Sequence, residues 1–129
     1  MSARYGTAIP PAAWSVRACQ CSFCRAHGGL TVSDPAGTLL FAAASNDKLH
    51  RYRFGTRTTD FVLCRDCGVY VGAVLVSAAG RFGVLNALAL RPVPAELPAP
   101  ALMNYGEESV SEKRERREAR WTPLAPESL

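Results

Sequence analysis

No stretch of this sequence is long and apolar enough to cross a bilayer. The most apolar run, "VYVGAVLVSAAGRFGVLNALAL" at residues 69–90, is interrupted by Gly80 and Arg81. Neither side of the break reaches the roughly 20 residues that a spanning helix needs. No secretory signal is visible either, because "MSARYGTAIPPAAW" has no long apolar segment after a basic start. No internal repeat is visible, which sets aside repeat architectures. These absences point to the cytoplasm, where thiols stay reduced. Cysteine is scarce as well: there are five, and none precedes Cys19. An odd count at x-x spacings reads as metal or redox chemistry rather than a disulfide frame.

What is present suits one modest folded core. The chain has 129 residues, 48% hydrophobic and 20% charged, which fits a single domain. Residues 38–90 are expected to be β-rich. "TLLFA", "LHRYRF", "DFVL", "VYVGAVLV" and "RFGVLNALAL" are strand-length runs separated by turn signals. A Pro-rich connector follows at 91–106. From Ser109 a short helix is predicted, because Ser109 and Glu112 make a capping box. Glu112 and Arg116 then fall one turn apart on one face. The helix should stop at "RWTP", where Thr122 precedes a proline. The division expected is a zinc-binding β domain at 1–106 and a basic helix and tail at 107–129.

Net charge is +4, and five basic residues crowd into "SEKRERREAR". Three glutamates are interleaved there, so the run reads as a solvated helix face rather than a nucleic-acid footprint.

The cysteines stand as Cys19-x-Cys21-x-x-Cys24 and, far downstream, Cys64-x-x-Cys67-Gly68. An x-x spacing lets a tight turn offer two sulfurs to one ion. Gly68 frees the backbone for such a turn. Two groupings are open. Cys21, Cys24, Cys64 and Cys67 could close one tetrahedral zinc site and leave Cys19 over, making a binding or structural module. Alternatively, Cys19, Cys21 and Cys24 could hold one zinc with its fourth position free, which is the mark of a reactive site. A thiol–disulfide role for "CSFC" would call for a βαβ setting, and none is evident.

"CQCSFCRAHGG" followed by "FVLCRDCGVYVG" resembles the glutathione-dependent formaldehyde-activating enzymes, a family that also includes centromere-protein-V-like domains. The likeness spans nearly the whole chain, including the tail "RERREARWTP". It implies a mainly β fold of the β-tent type with a short C-terminal helix. It also implies two zinc sites, a catalytic one on Cys19, Cys21 and Cys24 and a structural one helped by Cys64 and Cys67. The reaction implied is carbon–sulfur lyase chemistry of the S-(hydroxymethyl)glutathione synthase kind, with a small thiol such as glutathione and a small aldehyde as partners. In such proteins the structural zinc takes two further ligands from an earlier C-x-C-G motif. This sequence departs there: "SARYG" at residues 2–6 resembles the end of that segment, and the expectation is an N-terminally shortened member. Arg25 could clamp a carboxylate of the thiol, or simply be a surface arginine. His27 could supply a fourth ligand or shuttle a proton, or simply occupy the turn before Gly28. His50, Tyr70 and Phe82 read as structural. Asn86 is the odd polar residue in its strand, facing either a ligand or solvent.

Overall fold

A computed structural model describes residues 1–129. Alternation of apolar side chains drives most of the strands. β1 (Ser2–Gly6) and β4 (Thr38–Ala42) pair as a two-stranded antiparallel ribbon. The larger sheet runs in the order β5 (Leu49–Tyr52), β6 (Asp60–Cys64), β7 (Tyr70–Ser77), β8 (Gly80–Asn86), β3 (Thr31–Val32), β2 (Arg17–Cys19) and β9 (Ala101–Met103). β10 (Thr122–Pro123) also pairs with β8, beside β3. Two helices complete the chain: α1 (Ser22–His27) and α2 (Val110–Arg120). The protein is mainly β with a short C-terminal helix, as the sequence implies.

The two faces of the large sheet are used differently. One packs on the ribbon around Val32, Leu39, Phe41, Val62, Val74 and Leu85, each almost fully buried. Burial of that kind contributes about 1.5–3 kcal/mol per large side chain. Gly72 is required here. A Cβ on it would stand 2.2 Å from the Val84 carbonyl oxygen and 2.7 Å from the Phe41 ring. The other face carries a smaller cluster of Ala73, Leu75, Val84 and Trp121.

A bulge links the faces. Val62 pairs with Gly72 and Leu63 with Tyr70, so Val71 is an extra residue in β7. One added residue reverses the side-chain alternation beyond it. Tyr70 therefore joins Ala73 on the second face instead of following Gly72 and Val74 into the first core.

The central strands of residues 38–77 fall where expected. "RFGVLNALAL" does not run through as one strand. Asn86 Oδ1 accepts from the Leu88 N–H at 3.3 Å and turns the chain into a single 3-10 turn at Ala87–Ala89. Asn86 faces neither ligand nor solvent. It is buried, and it also accepts from the Leu30 N–H (3.1 Å) and donates to the Tyr70 carbonyl (2.9 Å). His50 lies exposed on edge strand β5. The capping box of α2 forms, and the helix ends at Arg120. Glu112 and Arg116 do not pair: the Glu112 carboxylate is held by the Ser109 N–H (3.0 Å), and Arg116 reaches back to Glu108. Beyond α2, Ala125 and Leu129 donate to the carbonyls of Leu39 and Phe41 in β4.

Candidate metal centre and its cavity

Three thiols meet where β2 hands over to α1. Val16 points into the first core, so alternation turns Arg17 and Cys19 to the opposite side. Cys21 is the N-cap of α1, and its sulfur accepts from the Cys24 N–H at 3.4 Å. Cys24 sits three residues on, one turn along the same helix. Gly28, at φ 60°, ends the helix in the left-handed conformation that glycine allows. The "CSFC" segment does start a helix, but the setting is not βαβ, since β2 and β3 are antiparallel.

The sulfurs of Cys19, Cys21 and Cys24 all lie within 4.8 Å of one another. On a tetrahedral zinc with bonds of about 2.3 Å, sulfurs stand about 3.8 Å apart. The group is therefore close to a ligand arrangement already. Its proton balance points the same way. A hydrogen bond from the Cys24 thiol draws Cys19 down to about 5, and the same contact, with burial, pushes Cys24 up. A proton shared this way is what a metal ion displaces when it binds thiolates. The residues fit a metal ion, and all three cysteines line one cavity.

Phe23 anchors α1 to the sheet. Its ring lies 4.6 Å from Phe61 and 5.0 Å, edge-on, from Tyr70. Phe54, Tyr52 and His27 extend the stack at 5.5, 5.7 and 4.3 Å. Tyr70, read from sequence as core, is both buried and part of the cavity wall. Burial, then the neighbouring cysteines, keeps its hydroxyl protonated well above the usual range.

Cys64 and Cys67 do not join the group. They occupy the β6–β7 turn, where Gly68 adopts φ 75° and donates to the Cys64 carbonyl at 2.8 Å. The Cys67 and Asp66 N–H groups point at the Cys64 sulfur and hold its pKa down. Cys64 is half-buried and Cys67 exposed. Arg25 and His27 are also exposed, on turns of α1 outside the cavity wall. A position one residue after Cys24 is rotated about 100° around the helix from it, so adjacency in sequence does not bring Arg25 to the thiols.

The cavity has a volume of about 190 Å3 and lies between the large sheet, β2 and α2. Its far wall comes from residues that the sequence pattern assigns to solvent. The run "SEKRERREAR" is not simply a solvated face. Lys113, Arg116 and Arg117, spaced as one helical stripe, line the cavity. Arg116 makes a two-pronged pair with Glu108 (2.9 and 3.0 Å) and lies 3.6 Å over the Tyr105 ring. Arg117 Nη1 donates to Thr58 (2.9 Å) and Thr59 (2.6 Å). Arg17 donates to Ser33 at 2.6 Å. Burial lowers the pKa of both Arg17 and Arg117. The 113/116/117 spacing is visible in the sequence, but which way that stripe turns is decided by Trp121, the buried residue that ends the helix.

No protein-family model matches the chain, and no curated protein matches it. Among solved structures it is similar to a crystal structure of a Rhodobacter sphaeroides protein, a structural-genomics target. The two share 25% identity over 78% of this chain and 100% of that one, with a TM-score of 0.52. The likeness supports the fold and assigns no activity. No helix is long and apolar enough to cross a membrane.

Proposed function

We propose that this is a zinc protein of the formaldehyde-activating, β-tent type that joins a small thiol, such as glutathione, to a small aldehyde. The observation that supports this most is the convergence of Cys19, Cys21 and Cys24 on the wall of a cavity. Three ligands with a free fourth side are the pattern of a reactive site rather than a closed structural one. A zinc ion there would keep a thiol in its thiolate form at neutral pH.

In the reaction, the thiol sulfur bonds to the carbonyl carbon. The carbonyl π pair goes to oxygen, and the thiol proton ends on that oxygen. The reverse step is carbon–sulfur cleavage. The chain's own residues would hold the reactants. Tyr70 offers an O–H donor on the cavity wall beside the triad. Phe54 and Phe61 limit water at the same wall. The reading as a closed four-cysteine module has less support, since Cys64 and Cys67 stand apart from Cys21 and Cys24.

The test is zinc content measured alongside exchange of the S-hydroxymethyl adduct of glutathione by NMR. Wild-type protein is expected to hold zinc and to speed the exchange. Cys19→Ser should lose both. Zinc-loaded wild-type protein that leaves the exchange at its uncatalysed rate would rule the enzyme reading out.

A further inference from the structure

The charges around the cavity do not balance. Arg17, Lys113, Arg116 and Arg117 line it, and no aspartate or glutamate does. Arg116 is matched by Glu108. Arg17, Lys113 and Arg117 take part in none of the molecule's ion pairs. Buried or half-buried cations are costly unless something compensates them.

Arg117 is the sharpest case. Its guanidinium is fixed from two sides. Nη1 is held by the Thr58 and Thr59 hydroxyls, and the plane lies against Trp121 with Cζ 5.1 Å from the ring centroid. The opposite edge of the fork, Nε with Nη2, has no protein partner. Nε is fully enclosed and makes no hydrogen bond. An enclosed N–H left unpaired costs about 1–3 kcal/mol. Nη2 is the donor left to meet a ligand, and a guanidinium held this rigidly beside a cavity lined by further cations is prepared for an anionic acceptor.

The rest of the wall says what the acceptor is attached to. Phe54, Phe61, Tyr70 and Trp121 supply flat apolar surface on the same cavity. At about 190 Å3 the space suits a small molecule, below the roughly 300 Å3 typical of drug-sized sites.

We propose that the cavity is a binding site for a small organic carboxylate, held by Nη2 of Arg117 with its apolar body along the aromatic wall. The proposal does not require the thiol–aldehyde reading. The competing role for Arg117 is to offset negative charge on the cysteine triad, and the test separates the two.

The probe is benzoate, titrated into full-length, metal-loaded protein and followed by calorimetry and by the Arg117 Nε–H resonance. Benzoate should bind saturably and move that resonance. Benzamide, the same shape without the charge, should bind at least about tenfold more weakly. Arg117→Gln should weaken benzoate by about tenfold or more, with Arg117→Lys in between. Lys113→Gln should do less. Zinc per chain is measured on every sample. The proposal fails if benzoate does not saturate, or if benzamide binds as well. It fails if inorganic phosphate binds more tightly than benzoate, which would mark a general oxyanion site. It also fails if Arg117→Gln loses zinc while its remaining metal-loaded fraction binds benzoate as before. The wild-type resonance needs no variant, so the proposal can still be overturned if Arg117→Gln misfolds. The zinc values keep a failed anion site distinct from a failed metal site.

Discussion

The chain places two cysteine pairs at the same spacing, Cys21/Cys24 and Cys64/Cys67, in two quite different settings. The first pair straddles the start of a helix, has Cys19 delivered to it by a neighbouring strand, and lies against a cavity with a cationic far wall. The second pair closes a hairpin turn, with backbone N–H groups and the N-terminal ammonium for company, and opens to solvent. Both turns can present sulfur. Only one has a third thiol, an aromatic buttress and room for a ligand. Spacing supplies the ability to ligate, and the surrounding elements decide whether the sulfurs gather into one group beside a cavity.

Metal content is the strongest way to break this contrast. Cys19→Ser or Cys24→Ser is expected to reduce tightly held zinc from about one per chain to near zero. The double variant Cys64→Ser/Cys67→Ser should retain it. Elemental analysis decides. Equal losses in both would mean that the pairs share one ion and that the contrast is false.

Thiol labelling sharpens it further. In metal-loaded protein, a short alkylation pulse read by mass spectrometry should mark Cys67 first and Cys64 next, with the triad protected. After chelation Cys19 should become reactive, because its thiol ionises at about 5. Cys24, buried and pushed up, should stay slow.

Two stability measurements extend the comparison to the scaffolds. Phe23→Ala removes the ring that fixes α1 and should cost about 2 kcal/mol in denaturant unfolding, with weaker zinc retention. Gly68→Ala forces a side chain into the left-handed region at the other turn and should cost about 1 kcal/mol with zinc unchanged. If Gly68→Ala releases the metal, the turn serves the triad after all.

These contrasts also show which parts of the molecule are legible in the sequence. Strands β4 to β7 announce themselves, since each is long enough for alternation or continuous apolarity to show. The capping box of α2 is local, a matter of two side chains three residues apart. The thiol cluster is legible as a candidate for the same reason. β2, β3, β9 and β10 are two or three residues long, too short for any period, and exist because distant strands pair with them. β9 lies inside the Pro-rich connector for that reason. β1 reads as lead-in because its partner, β4, is more than thirty residues away. Arg117 is hidden differently: a charge run ordinarily faces water, and only the burial of Trp121 and the Thr58–Thr59 hydroxyls turn it inward.

β8 is flanked on one edge by β7 along its length, while β3 and β10 share the other edge. The sheet thus needs one piece from near residue 31 and another from near residue 122. Such far-separated pairings are slow to form. On a ribosome, the hairpins of β5 to β8 can assemble as they emerge, but the place beside Phe82 and Gly83 stays empty until residues 122–123 arrive. The arginines of α2 arrive in the same stretch, just ahead of them. The thiols therefore come out of the ribosome roughly a hundred residues before the wall that faces them. In that interval Cys19 has only the end of a three-residue strand to place it, and Cys21 and Cys24 a helix of under two turns.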